Sequence, residues 1–356
     1  MNNKKTKKNA EKFKEWITNH KRKFFIMFLT ALLLMASTYA WLSSSLNVKI
    51  QFLKLSVASN SGLFISLDGI DFSDSVVISM DSIIMDLKET YPNHTNQWSY
   101  GLWPVSTNGI LDSNQDKFAV FTGDLVHTKE RNPNGSVKRL LNTVRRNEDN
   151  SSPGNLYVAF DIFLKNDTGS PFADNLYFAD STKIDYAEDT EEELKLEMDG
   201  ILNSIRLGIV RVGSVPLNST PDEIQNMKCN NACEMLIYEP NSESHSELSI
   251  ETALNYGIML VDGIEVPSYA IVAEGRRLEH TNGHIGTGIP LDTEHFKMQE
   301  TIKDFTKPVF EVPNAITKAR IYIWLEGQDI DSLETNSKGV DLAVAIDFVK
   351  DLAGYE

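Results

Sequence analysis

The histidines and acids closest to a known chemical pattern lie in "EHTNGHIG", residues 279–286. His280 and His284 have the i, i+4 spacing that puts two zinc ligands on one face of a helix, and Glu279 and His295 lie near enough to join them. The pattern is broken in two ways. No Glu follows His280 to act as base, and Asn282-Gly283 between the histidines is a turn signal, not a helical one. Two acidic turns could offer oxygen to calcium: Asp68, Asp71 and Asp74 in "DGIDFSD", and Asp329, Asp331, Glu334 and Asn336 near "EGQDID". Calcium takes about 6–8 oxygens, and neither turn carries the full EF-hand pattern. The two cysteines of the chain, Cys229 and Cys233, stand in "KCNNAC". They are expected to pair as a local disulfide in an oxidising compartment, since a single pair with this spacing is not a metal site. There is no Gly-x-Ser-x-Gly, no P-loop and no dinucleotide fingerprint, "GHIGTG" having the wrong glycine spacing. The chemistry therefore points to no catalytic residue, no metal ligand and no cofactor, with calcium as the alternative.

The elements that would position these residues have a period of two. "NLYVAFDIFLKND" sets Leu156, Val158, Phe160, Ile162 and Leu164 against Tyr157, Asp161 and Lys165. "KARIYIWLEG" and "VDLAVAIDF" alternate in the same way, so each reads as a strand with one buried face. Trp324 falls opposite Ile321, Ile323 and Leu325, which suggests a central strand covered on both sides. "LNVKIQF" puts Leu46, Val48, Ile50 and Phe52 on one face, and the phase then slips to Leu53, Leu55 and Val57, as at a β-bulge. Shorter strands are expected at 63–67, 117–121, 176–178, 205–212, 235–238 and 309–312. One long helix is expected in "DTEEELKLEMDGILNSI", with a Thr190/Glu193 capping box and Leu194, Met198, Ile201, Leu202 and Ile205 at helical spacing. A short one is expected at "STPDEIQNM", with Thr220 as cap and Pro221 in the first position. Residues 127–154, 241–249 and 274–288 read as loops, so insertions are placed near 127–154 and 241–300. The fold class that follows is mainly β, an antiparallel β-sandwich of jelly-roll type with one or two short helices in its connections.

Charge is segregated along the chain. Residues 1–23 hold nine lysines and arginines against two acids, a local charge of +7. The whole chain carries −16, which leaves −23 for the remainder. Between them lies the uncharged run Phe24–Trp41, "FFIMFLTALLLMASTYAW". Basic head, apolar stretch and acidic body together orient the body outward. The expected division is a cytoplasmic segment 1–23, a signal peptide or signal-anchor helix 24–42, and an extracellular domain 43–356. Thr38 and Ala40 are small residues placed for a cut between Ala40 and Trp41. If the cut is made the chain is secreted to the cell surface; if not, residues 24–42 hold it in the membrane. So acidic a body excludes nucleic acid as a partner.

Several phrases resemble a known group. "STYAWLSS" resembles the signal-peptide end of the camelysin/TasA-like exported proteins of Gram-positive bacteria. "LFISLDGIDF", "LWPVSTNG", "YVAFDIFLKND", "NSIRLGIV", "LIYEPN" and "ARIYIWLEGQDID" resemble, in order, a broader group of uncharacterised Gram-positive surface proteins. In that group a Cys follows the final Asp; here the position is Ser332. The resemblance implies a jelly-roll sandwich, cleavage by a dedicated signal peptidase and, for some members, polymerisation into biofilm-matrix fibres. It implies a structural or adhesive role through self-assembly or contact with other surface proteins. Leu46, Val48, Ile50 and Phe52 would then form the apolar face of a donated strand. Two alternatives are a membrane-tethered binding module and a surface metallopeptidase, camelysin itself being described as a metalloprotease.

Overall fold

The computed structural model describes residues 48–58, 62–79, 101–112, 117–131, 137–147, 156–197, 200–229, 233–239, 244–255, 279–280, 289–290, 301–302, 304–327, 329–332 and 340–351, all within one unit, Asn47–Glu356. The strands run in chain order β1 (Val48–Val57), β2 (Leu63–Ser66), β3 (Ser75–Ser79), β4 (Gly101–Leu102), β5 (Pro104–Asp112), β6 (Lys117–Arg131), β7 (Val137–Asn147), β8 (Val158–Asn166) and β9 (Asp174–Phe178). They continue with β10 (Lys183–Tyr186), β11 (Ile205–Val215), β12 (Cys233–Tyr238), β13 (Glu279–His280), β14 (Ile289–Pro290), β15 (Thr301–Ile302), β16 (Phe310–Val312), β17 (Ile316–Glu326) and β18 (Asp341–Asp351). Among the described residues four short helices, α1 (Glu192–Glu197), α2 (Ile201–Ser204), α3 (Pro221–Gln225) and α4 (Glu247–Asn255), lie in the connections.

These strands form a β-sandwich. Among the described residues the smaller sheet runs β16-β9-β18-β1-β3, with β10 beside β18 and β4 beside β1. The larger runs β14-β13-β7-β6-β5-β12-β11-β17-β8-β2, with β15 beside β12. Most pairs are antiparallel, but β1 lies parallel to β18, so the first described strand joins the last. The core between the sheets comes from the alternating faces. Val48, Ile50, Leu53, Leu55, Leu342, Val344, Ile346 and Phe348 of the smaller sheet meet Val158, Phe160, Ile162, Leu164, Leu207, Ile321 and Ile323 of the larger. At one edge Phe178 stacks on Phe348, ring centres 5.6 Å apart, and Tyr238 packs on Phe305 at 4.9 Å.

The phase slip in β1 is a bulge. Ile50 pairs with Leu342 and Phe52 with Ala343, leaving Gln51 as the extra residue, exposed. This register puts Phe52 out of step with Val48 and Ile50, and Leu53 resumes the buried face. Leu46, the cleavage positions Ala40 and Trp41, and the whole apolar stretch lie outside the described residues. Among the described residues no helix is long and apolar enough to cross a membrane.

Strand β17 is buried at all its positions. Its inner face joins the core, and on its outer face Tyr322 and Trp324 enter a second cluster with Val105, Tyr157 and Met235. The expectation of a central strand covered on both sides is met, and the cover is built partly by β5 and by residues 156–157 ahead of β8.

Three local expectations need correction. The single long helix over 190–205 is two short ones broken at Gly200, whose φ of 102° is left-handed, and Ile205 opens β11. Thr190 does not cap it; its hydroxyl reaches the Asp341 carbonyl instead. The supposed loop 127–154 is largely a hairpin, with β6 running on to Arg131 and returning as β7 in register Leu125 to Leu141. The supposed loop 241–249 contains the start of α4, where the Ser246 hydroxyl accepts from the Ser249 amide. The helix at Thr220 forms as expected, with a reciprocal capping box to Glu223 and Pro221 in the first turn.

Candidate functional site

The residues singled out for chemistry do not assemble as the sequence suggested. Glu279 and His280 form a strand that pairs with β14 and lies parallel to β7. A strand sends neighbouring side chains to opposite faces, so the helical zinc pattern is not realised. His284 and His295 lie outside the described residues. In the first acidic turn the Asp68 carboxylate is occupied by its own backbone. Its Oδ1 accepts from the Ile70 amide at 2.8 Å, the Asp71 amide at 3.1 Å and the Ser66 hydroxyl at 2.8 Å. That is an Asx turn between strands. Glu334 and Asn336 of the second acidic turn are outside the described residues. Cys229 and Cys233 are joined as a disulfide at the entry to β12.

Asp329 and Asp331 have a different setting from the one the sequence suggested. They do not lie on a solvated loop. Asp329 is 1% exposed, Asp331 is not exposed, and Ile330–Ser332 forms a 3₁₀ turn that folds back beneath α2 and α4. Their neighbours come from distant parts of the chain. The His245 ring, its side chain 1% exposed, sets Nδ1 2.9 Å from Asp331 Oδ2 and 3.7 Å from Asp329 Oδ1. The Ser246 amide donates to Asp331 Oδ1 at 3.1 Å, and Asn203 Nδ2 donates to Asp331 Oδ2 at 3.3 Å. Gly200 faces the same carboxylate so closely that a methyl group there would collide with Asp331 Oδ1.

Arg206 closes the cluster from the start of β11. The guanidinium is fully buried; Nη2 donates to Asp329 Oδ2 at 2.8 Å, and Nε lies 3.0 Å from Glu239 Oε2. Nη1 donates to the carbonyls of Asn203 and Ile205. The register explains the meeting. Leu207 pairs with Tyr238, so Arg206 and Glu239 are neighbours on the outer face, and Arg206 pairs with Trp324 on the other side. Trp324 Nε1 in turn donates to the buried Glu326 at 3.3 Å. Burial pushes the Asp329 carboxyl above its ordinary range. Arg206 pulls it down, and the charge of Asp331 pushes it up again.

Two other buried ion groups fasten the sandwich. Arg320 and Lys318 on β17 meet Asp161 across the pair with β8, at 2.5 and 3.2 Å, and Lys318 also donates to the carbonyls of Gln225 and Met227 behind α3. Lys350 on β18 donates to Asp174 at 3.0 Å and to Asn166 at 2.7 Å, and Asn166 reaches the Val312 carbonyl. Each joins strands far apart in sequence.

The sequence reading named Asp329 and Asp331 but not His245, Arg206, Glu239 or Asn203. A helix cap was legible in "HSELS", and would have fixed His245 immediately before α4. Nothing in the spacing placed that cap beside a turn 84 residues later. Comparison of the chain with protein-family models, with curated proteins and with solved structures finds no match.

Proposed function

We propose that this protein is an exported surface protein with a structural or adhesive role, and that it assembles by donating its first strand. The observation that carries the reading is the place of β1. It starts shortly after the apolar stretch, and it sits between β18 and β3 inside the smaller sheet. Its buried face, with Val48, Ile50, Leu53 and Leu55 at most 1% exposed, is the apolar register a neighbour's sheet would need. Release of the N-terminus by cleavage before Trp41 would free this strand to leave its own sheet. The same strand from a second copy would fill the gap between β18 and β3, and backbone hydrogen bonds would give the affinity. The acidic body keeps such a chain soluble before assembly. The helical His-x-x-x-His pattern that a surface peptidase would need is not formed at Glu279 and His280, which lie in a strand, and this favours an assembly role.

Two measurements test this. The mass and N-terminal residue of the protein from its native envelope should correspond to a start at or near Trp41; an intact basic head in the membrane fraction would favour the tethered binding module. Lys54 lies opposite Ala345 across the β1–β18 pair. A Lys54→Cys/Ala345→Cys variant, oxidised, locks β1 in its own sheet. Sedimenting polymers should vanish when the lock is closed and return on reduction. Polymers that form equally well with the lock closed would rule out strand donation.

A further inference from the structure

A cluster of buried ionisable groups lies where β11 begins and β17 ends. Asp329, Asp331 and Glu239 are all at least nine-tenths buried, and among the described residues Arg206 is the permanent cation placed among them. The Arg206–Glu239 contact is close but poorly aligned, so Glu239 Oε2 accepts no hydrogen bond.

We propose that His245, Asp329 and Asp331 bind one divalent transition-metal ion, with zinc as the reference case. The three ligand atoms lie within 4.8 Å of one another, and Nδ1 stands 2.9 Å from Asp331 Oδ2 and 3.7 Å from Asp329 Oδ1. A tetrahedral centre with bonds of about 2.0–2.1 Å sets its ligand atoms about 3.3 Å apart, so small shifts of these side chains accommodate it. The ion would take the place of the Nδ1 proton between ring and carboxylates. An imidazole with two carboxylates suits zinc, manganese or iron; calcium prefers an all-oxygen shell. Outer partners already orient both acids. Arg206 holds Asp329 Oδ2, while the Ser246 amide and Asn203 hold Asp331. Gly200 leaves the room that the Asp331 carboxylate needs. Burial makes the site structural, binding the residues ahead of α4 to the turn after β17, with a fourth position for water. This inference does not depend on how the protein assembles.

The test uses the full chain in detergent. It is stripped with a chelator, incubated with excess zinc, desalted and analysed for metal, and cobalt(II) is added in parallel to read the visible bands of a low-coordinate site. The expected result is one zinc per chain, a raised melting temperature and a cobalt spectrum. His245→Gln should abolish both stoichiometric uptake and spectrum. A folded wild-type chain that retains no stoichiometric zinc and gives no cobalt bands overturns the proposal. So does uptake that survives His245→Gln, since it would then belong to other histidines. Should His245→Gln not fold, Asn203→Ala decides, because it keeps every ligand. It should weaken zinc binding roughly 10- to 100-fold, and an unchanged affinity overturns the site.

Discussion

Arg206 links two buried acids from different parts of the chain. It answers Asp329 and Glu239 together and caps the carbonyls at the end of α2. Replacing it with Met keeps the bulk and removes the charge, leaving two buried carboxylates without their cation. The expected loss is about 3–5 kcal/mol, read as a lower denaturant midpoint. Tyr238 gives a residue-scale prediction with a sign in pH. Burial pushes its phenol up to about 12, whereas a tyrosine in the unfolded chain ionises near 10. The folded state holds the proton longer, so this contribution is full below pH about 10 and is lost as pH rises through about 12. Tyr238→Phe should flatten the alkaline part of the stability curve, measured by melting at a series of pH values. At this scale the sequence was readable only in part. Asp329 and Asp331 were visible as acids on a turn, but their burial, and the arrival of His245 and Arg206, are properties of folded topology. No local pattern encodes a meeting of residues 203–206, 245 and 329–331.

At the scale of elements, legibility follows how far local patterning agrees with tertiary demand. The α3 cap was readable because Thr220, Pro221 and Glu223 act only on their own turn. Thr220→Ala should cost about 1 kcal/mol, detected as a small shift in thermal midpoint with the sheets intact. The β1 bulge was readable for the same reason, as a slip in an otherwise strict alternation. The segment 190–205 misled because its apolar spacing fits a helix, while the sheet claims Ile205 onward and Gly200 is left-handed with its bare Cα against Asp331. Gly200→Ala should therefore destabilise by more than about 1 kcal/mol, the penalty of a side chain at positive φ with a clash added. The check is chemical unfolding beside a control alanine at Gly169, which has a positive φ of 68° but nothing within 4 Å of the added methyl. The β6–β7 hairpin was missed because "VKRLLNTVRRN" does not alternate, although Asn134-Gly135 stands between the two strands as a turn signal.

At the scale of the whole molecule, the sandwich class was legible from repeated strands with one apolar face and few helical segments. The order of the strands was not. The pairing of β1 with β18 leaves no local mark, because both alternate as many other strands do. Yet that pairing makes the smaller sheet depend on both ends of the chain. Deleting residues 340–356 removes the strand between β1 and β9 together with Leu342, Val344, Ile346 and Phe348 from the core. The truncated chain should not fold, seen as loss of the β-type circular dichroism and of cooperative melting.

The parallel union of β1 and β18 also sets a clock. A chain that emerges end first from a narrow pore presents β1 early and β18 last, with nearly all of the other strands between them. At roughly 5–20 residues per second for a chain still being made, β1 would wait on the order of tens of seconds for its partner. During that interval β3 can cover one edge of β1, but the edge that awaits β18 is on offer to any neighbouring copy. The same topology that builds the smaller sheet thus imposes a vulnerable period on every newly made molecule.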